Sequence, residues 1–139
     1  FHILKFGYPD LVELSKQGTK LDSSYLLFNG KNILPTYHSD IDMIMAPYFW
    51  EDGIFLNVKD KLNEPPVNWE TKGLKIFDFH PLDIYLNTFS MGHRNSLKNV
   101  KTKLQDIEEN VASKAINTSE YGTRDILIDL VKKKTTRLN

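Results

Sequence analysis

Leu74-Lys75-Ile76-Phe77-Asp78-Phe79-His80-Pro81 is the run whose reading decides the fold. Asn63-Glu64-Pro65-Pro66 breaks the chain before it, Trp69 to Gly73 leads into it, and Pro81 stops it, so a strand is expected over 74–80. Alternation along a strand puts Leu74, Ile76, Asp78 and His80 on one face and Lys75, Phe77 and Phe79 on the other. The first face is polar only at its C-terminal end. Ligands of open α/β sheets and barrels bind at the carboxyl ends of strands, and a His beside an Asp there can move a proton near neutral pH. His80 is therefore the first candidate for chemistry. Its plainer alternative is a histidine that closes the strand by bonding backbone while Pro81 enforces the turn.

Upstream, Tyr8-Pro9-Asp10 with Leu11, Val12 and Leu14, then Gly18, predicts a helix at about 9–17 with Pro in its first turn and Gly past its end. Lys20 to Phe28 predicts a strand ended by Asn29-Gly30-Lys31-Asn32. Met43 to Ala46 is a second short strand stopped by Pro47, and Lys31 to Asp42 reads as loop. Downstream, Leu97, Val100, Leu104, Ile107 and Val111 recur at helical spacing, which predicts an amphipathic helix rather than a coiled-coil seam of barely two heptads. A closing helix carries Ile126, Leu127, Leu130 and Val131, with Thr123 as its cap and Lys132-Lys133-Lys134 where the helix dipole favours cations. Strands alternating with helices imply an α/β arrangement with largely parallel strands, in one domain or part of one.

Composition narrows the partners. The 139 residues hold 18 Lys plus Arg against 18 Asp plus Glu, so no net field draws the chain to nucleic acid or an anionic membrane; a neutral partner such as a sugar fits. The absence of Cys removes disulfides, thiolate zinc sites and Cys nucleophiles, so any metal needs His and carboxylates. No apolar run is long enough for a membrane span. The opening Phe1-His2-Ile3-Leu4 reads as mid-domain.

The second candidate is Pro47-Tyr48-Phe49-Trp50-Glu51-Asp52-Gly53, three aromatics running into two carboxylates after a strand. Sugar rings present apolar CH faces and a hydroxyl rim, which such a loop suits; an aromatic core loop with two solvated acids is the alternative. His38, Asp40 and Asp42 form a weak cation pattern on a polar loop, and His93 reads as surface. The glycines are too scattered for a phosphate loop, and Ser23-Ser24 lacks the flanking Gly of a nucleophile elbow.

Several of these segments together resemble the bacterial polysaccharide deacetylases of the NodB type, and more closely their WbmS-like branch. Gly18 to Ser24, Pro47 to Asp52, Phe79-His80-Pro81 through Ile84-Tyr85-Leu86-Asn87-Thr88, and Tyr121 to Ile128 carry the likeness in the expected order. The resemblance implies the C-terminal portion of a distorted (β/α) barrel and metal-dependent removal of N-acetyl groups from a sugar of a surface polysaccharide, in a bacterial, cytoplasmic protein. It also implies a divalent metal, zinc or cobalt, held by one Asp and two His early in the domain beside a catalytic-base Asp. Those motifs precede the stretch matched here, so the 139 residues are expected to hold no complete metal site and to be inactive alone. By the same resemblance His80 corresponds to a late-motif His that protonates the leaving amine or stabilises the tetrahedral intermediate. Asp52 or Glu51 orients it or shapes the pocket, and Tyr48, Trp50 and His2 complete the substrate side. The chain departs from the branch at Leu21, where Tyr is usual, at Gly53, where Asp is common, and at Asp83, where His is more frequent. A non-catalytic carbohydrate-binding or scaffold domain is the competing reading.

Overall fold

The computed structural model describes residues 7–26, 34–58, 62, 73–98 and 106–136. Their contacts group the chain into two compact units, one of residues 1–51 and 69–78, the other of 52–68 and 79–139. Among the described residues no helix is long and apolar enough to cross a membrane.

The first unit opens with α1, Tyr8–Lys16, which Pro9 starts and Gly18 ends. Gly18 sits at φ +92°, a conformation costly for any residue with a Cβ, and the Thr19 N–H closes the turn on Leu14 O at 3.0 Å. Leu11, Val12 and Leu14, spaced to share one side of α1, pack with Tyr25 on Ile41, Met43 and Met45. The last two belong to β3, Met43–Met45, the middle strand of a sheet that β1, Leu21–Asp22, joins in parallel and β2, Thr36–His38, joins antiparallel. Met43 and Met45 are buried, whereas Ile44, between its register partners Leu21 and Tyr37, faces outward, as a period of two requires. Tyr48 N–H donates to Tyr25 O at 2.9 Å, and a parallel bridge joins Leu26 to Tyr48. A second, two-stranded parallel sheet pairs β4, Trp50–Glu51, with β5, Phe77–Asp78; Trp50 lies opposite Phe77 and Glu51 opposite Asp78.

The second unit is helical: α2, Asp52–Val58; α3, Pro81–Leu86; α4, Met91–Lys98; α5, Glu109–Lys114; and α6, Thr123–Thr136. Leu56, Leu62, Leu86, Leu97 and Ile126 are buried in it, and α3 packs on α6. Asn87 joins the two helices. It ends α3 in the left-handed conformation, φ 52°, while its Oδ1 accepts the Arg124 N–H at 3.0 Å and its Nδ2 donates to Asp125 Oδ2 at 2.8 Å. Arg124 returns the favour through Nε to Ile84 O at 3.0 Å, so each helix end satisfies the other.

Helices together with mostly parallel strand pairs match the expected α/β class, although among the described residues the elements do not alternate, since β1 to β4 follow one another and so do α3 to α6. Five local expectations change. The segment 31–42 is not all loop, because a tight turn between His38 and Asp42, the latter at φ 46°, folds Thr36–His38 back onto β3. The strand expected over 74–80 is paired as a strand only at Phe77–Asp78, since Pro81 holds His80 in an extended conformation ahead of a helix. The strand expected over 20–28 is limited to Leu21–Asp22 and the bridge at Leu26; 27 and 28 lie outside the described residues. The helix expected from Leu97 to Val111 is interrupted, with turn at 106–108 between α4 and α5; Val100 and Leu104 lie outside the described residues. Thr123 does not cap α6 with its side chain, which instead donates to Thr88 O at 3.0 Å.

Candidate functional site

The aromatic-acidic segment is not a loop. Its aromatic end enters β4 and its second acid opens α2, so Asp52 stands at a helix start, where unpaired backbone N–H groups need acceptors. Asp52 is fully buried, and its carboxylate accepts three donors. Oδ1 takes the Gly53 N–H at 2.6 Å, Oδ2 takes the His80 N–H at 2.8 Å, and Oδ1 also accepts the Nδ1–H of the His80 ring. His80 is in position for this because the proline after it keeps its backbone extended (φ −82°, ψ 126°) and starts α3 at the next residue.

With a carboxylate as its partner, Nδ1 must be the protonated ring nitrogen of neutral His80, which leaves Nε2 as the basic one. The imidazole side chain is 23% exposed, whereas the carboxylate behind it is wholly buried. Burial pushes the Asp52 carboxyl above its ordinary value of 3.8; the bonds from His80 oppose that shift, and the nearby Asp83 adds to it. The arrangement is a histidine oriented by a buried acid, able to hold a proton at Nε2 as imidazolium while the acid stabilises the charge.

Two residues not expected in the site complete the cluster, Asp83, noted above only as a departure from the branch, and Arg94. Asp83, in the first turn of α3, is fully buried with Oδ2 3.9 Å from His80 Nδ1, and Arg94 on α4 places Nη2 3.1 Å from that same oxygen. The signal for α3 was available in Pro81 followed by Asp83, a helix-start pattern. Nothing local to the sequence pairs Asp83 with Arg94.

Donor atoms of Asp52, His80 and Asp83 lie within 4.8 Å of one another. The set does not fit a divalent cation. A metal at Nδ1 would have to displace the proton that Asp52 accepts, and one at Asp83 would sit against the Arg94 guanidinium, which already neutralises that carboxylate.

The other expected residues are placed as follows. Tyr48 and Trp50 are buried in the first unit, at 5% and 0% exposure, so neither ring offers a face for a sugar to stack on. Trp50 packs tilted against Phe77 at 6.2 Å, and Phe77 also meets Phe49 edge-on. Glu51 accepts the Tyr48 hydroxyl at 2.8 Å; burial first, and then this bond, raise the Tyr48 phenol. His2 lies outside the described residues. Asp40 is bonded by Tyr8, and Asp42 by Lys20 and Tyr37, all on the surface, and among the described residues no metal-ligand set gathers around them. His93 is a packing residue rather than a surface one: its ring stacks on Phe89 at 4.9 Å, and Nε2 donates to Ala115 O at 2.7 Å.

Comparison with known proteins agrees on one relationship. A family model described as WbmS-like, polysaccharide deacetylase, matches residues 5–98. Among solved structures the chain is similar to a Bordetella bronchiseptica protein assigned as a polysaccharide deacetylase involved in O-antigen biosynthesis, WbmS. The TM-score is 0.76 at 25% identity, over 95% of this chain and 53% of that one. The chain thus spans about half the length of that relative. No curated protein matches.

Proposed function

Since the chain belongs to the WbmS-like polysaccharide deacetylase family, we propose that it carries the acid side of a deacetylase acting on an N-acetylated sugar of a surface polysaccharide, with His80 as general acid. The observation that carries this reading is the hold of buried Asp52 on both the backbone N–H and the ring of His80. In the family fold this chain would be part of a distorted (β/α) barrel.

A divalent metal, zinc or cobalt, would supply an activated water when bound, and the donor set of Asp52, His80 and Asp83 does not fit it. The part played by this chain is proton delivery. As the tetrahedral intermediate collapses, the bond from the acetyl carbon to the sugar nitrogen breaks and the nitrogen takes its proton from His80 Nε2. The Nδ1–H stays bonded to Asp52, whose negative charge supports the imidazolium before transfer. Asp52 accepts the ring Nδ1–H and the His80 and Gly53 backbone N–H groups, and it acts by fixing the tautomer and direction of the imidazole. The burial of Tyr48 and Trp50 weighs against a non-catalytic sugar-binding role, which would need an exposed aromatic platform.

The test is acetate release from an N-acetylated oligosaccharide by the full-length protein containing this chain, supplied with zinc or cobalt. Release that chelation abolishes and His80→Gln lowers at least about a hundredfold is the expected result. Undiminished release by His80→Gln would overturn the assignment.

A further inference from the structure

Asp83 is fully buried, yet neither of its carboxylate oxygens accepts a hydrogen bond among the described residues. A charge held that way needs an ionic partner, and Arg94 provides it at 3.1 Å with a side chain only 16% exposed. Guanidinium stays charged at any pH the fold survives, so the compensation is permanent.

His80 Nδ1 has one proton to give and two carboxylates near it, one from Asp52 in direct contact and one from Asp83 at 3.9 Å. If Asp83 were uncompensated it would compete for that proton and would hold the ring as imidazolium against release. We propose that Asp83 and Arg94 are a positioning pair for His80: Arg94 takes up the charge of Asp83, so Asp52 alone fixes the orientation and tautomer of the imidazole. Among the described residues the charged groups paired with the ring or with its partners include Asp52 from α2, Asp83 from α3 and Arg94 from α4. The functional consequence, a ring able to both hold and release a proton at Nε2, rests on the reading of His80 as the acid.

Nitrogen-15 correlation spectra of the four imidazoles in the chain, with the His80 signals assigned by their loss in His80→Gln, read tautomer and charge directly. In Arg94→Gln the imidazolium-to-imidazole ratio of His80 rises about tenfold at a given pH, as expected for a carboxylate freed at this range. The double variant Asp83→Asn/Arg94→Gln returns it to within about threefold of wild type. Lowered melting temperature with His80 ring shifts unchanged makes the pair merely structural and overturns the proposal. Should Arg94→Gln fail to fold by circular dichroism, Asp83→Asn is read instead: the unpaired guanidinium lowers the ratio, and no change overturns the proposal. These spectra need no turnover. A moved His80 signal together with undiminished acetate release by His80→Gln would remove the catalytic reading and leave the pair standing.

Discussion

Asp52 grips His80 at two points, accepting the backbone N–H at 2.8 Å through one carboxylate oxygen and the ring Nδ1–H through the other. A single contact would leave the imidazole free to rotate about its side-chain bonds; two contacts to one buried group fix backbone and ring together. The same carboxylate takes the Gly53 N–H. The start of α2 and the residue before α3 therefore depend on one acid, and changes at Asp52 should be felt in both.

Asp52→Ala leaves three buried or half-buried donors without their acceptor and should destabilise the fold by about 2–4 kcal/mol, more than an exposed cap substitution of about 1 kcal/mol. Urea denaturation measures it. A loss under about 0.5 kcal/mol would show that water replaces the carboxylate at little cost, and the grip on His80 would then be loose.

The pH dependence of stability has a definite sign. The Asp52 carboxyl titrates at 3.8 in the unfolded chain and higher in the fold, because burial outweighs the help from His80. A raised folded value means the native state binds the proton more tightly. The contribution of this group is therefore full below the unfolded value and is lost as pH rises through the folded one. Asp52→Asn does not titrate there. The stability of wild type minus that of Asp52→Asn should accordingly fall as pH rises from the unfolded value of 3.8 through the raised folded one and then level off. Urea midpoints of the two proteins across that range check it, and a difference that grows with pH contradicts the assigned shift.

The junction of α3 and α6 predicts a pair of effects. A Cβ on Gly122 would lie 2.3 Å from Asn87 O and 2.5 Å from Asn87 Oδ1, atoms fixed by the helix-end bonds, so Gly122→Ala should cost about 3 kcal/mol. Asn87→Ala loses the bonds to the α6 terminus and forces alanine to φ 52°; Asn87→Gly loses the bonds alone and should be milder by about 1 kcal/mol. Thermal melts of the three variants decide it. Equal melting points for Asn87→Ala and Asn87→Gly would mean that the left-handed turn relaxes.

Much of this was legible in residues that punctuate the chain. Pro9 and Gly18 bracket α1 because ring closure and a missing Cβ act locally, and Met43 to Met45 read as a strand because a short apolar run there is stopped by Pro47. His80 and Asp52 stood out, the first by its place at the carboxyl end of an expected strand, the second as an acid closing the aromatic run Tyr48 to Trp50, which the family likeness then reinforced. β2 was not legible, since all three of its residues are exposed and a strand without a buried face has no apolar alternation. The Leu97 to Val111 spacing was misleading for a related reason: periodicity reports which side chains are apolar, and the turn at 106–108 interrupts the backbone without disturbing that count. Tyr48 and Trp50 look alike as core or as sugar platform until their burial is known. Asp83 and Arg94 sit on different helices, and their meeting is a product of packing.

The remaining prediction separates catalysis from packing at His80. In the full-length protein, His80→Ala removes the proton donor and should lower kcat by about 10²–10⁴-fold with KM little changed, because the lost interaction is made with the leaving amine only as the bond breaks. The same change also leaves Asp52 buried without the ring, which should cost about 1–3 kcal/mol of stability, so a fall in activity alone would be ambiguous. Asp52→Asn resolves it. Asparagine keeps the size of the side chain and an oxygen for the His80 N–H, but it can present an amide in place of the carboxylate to Nδ1. The neutral ring is then free to take the other tautomer, with the proton on Nε2, and its imidazolium loses its counter-charge. A histidine acid oriented by Asp52 thus predicts a large kcat loss in Asp52→Asn with a smaller stability loss than in Asp52→Ala. A histidine that only closes the chain before Pro81 predicts melting temperatures that fall in step with any loss of turnover. Measured together, kcat and melting temperature for the three variants distinguish the two, and unaltered turnover in well-folded Asp52→Asn and His80→Ala would assign both residues to packing.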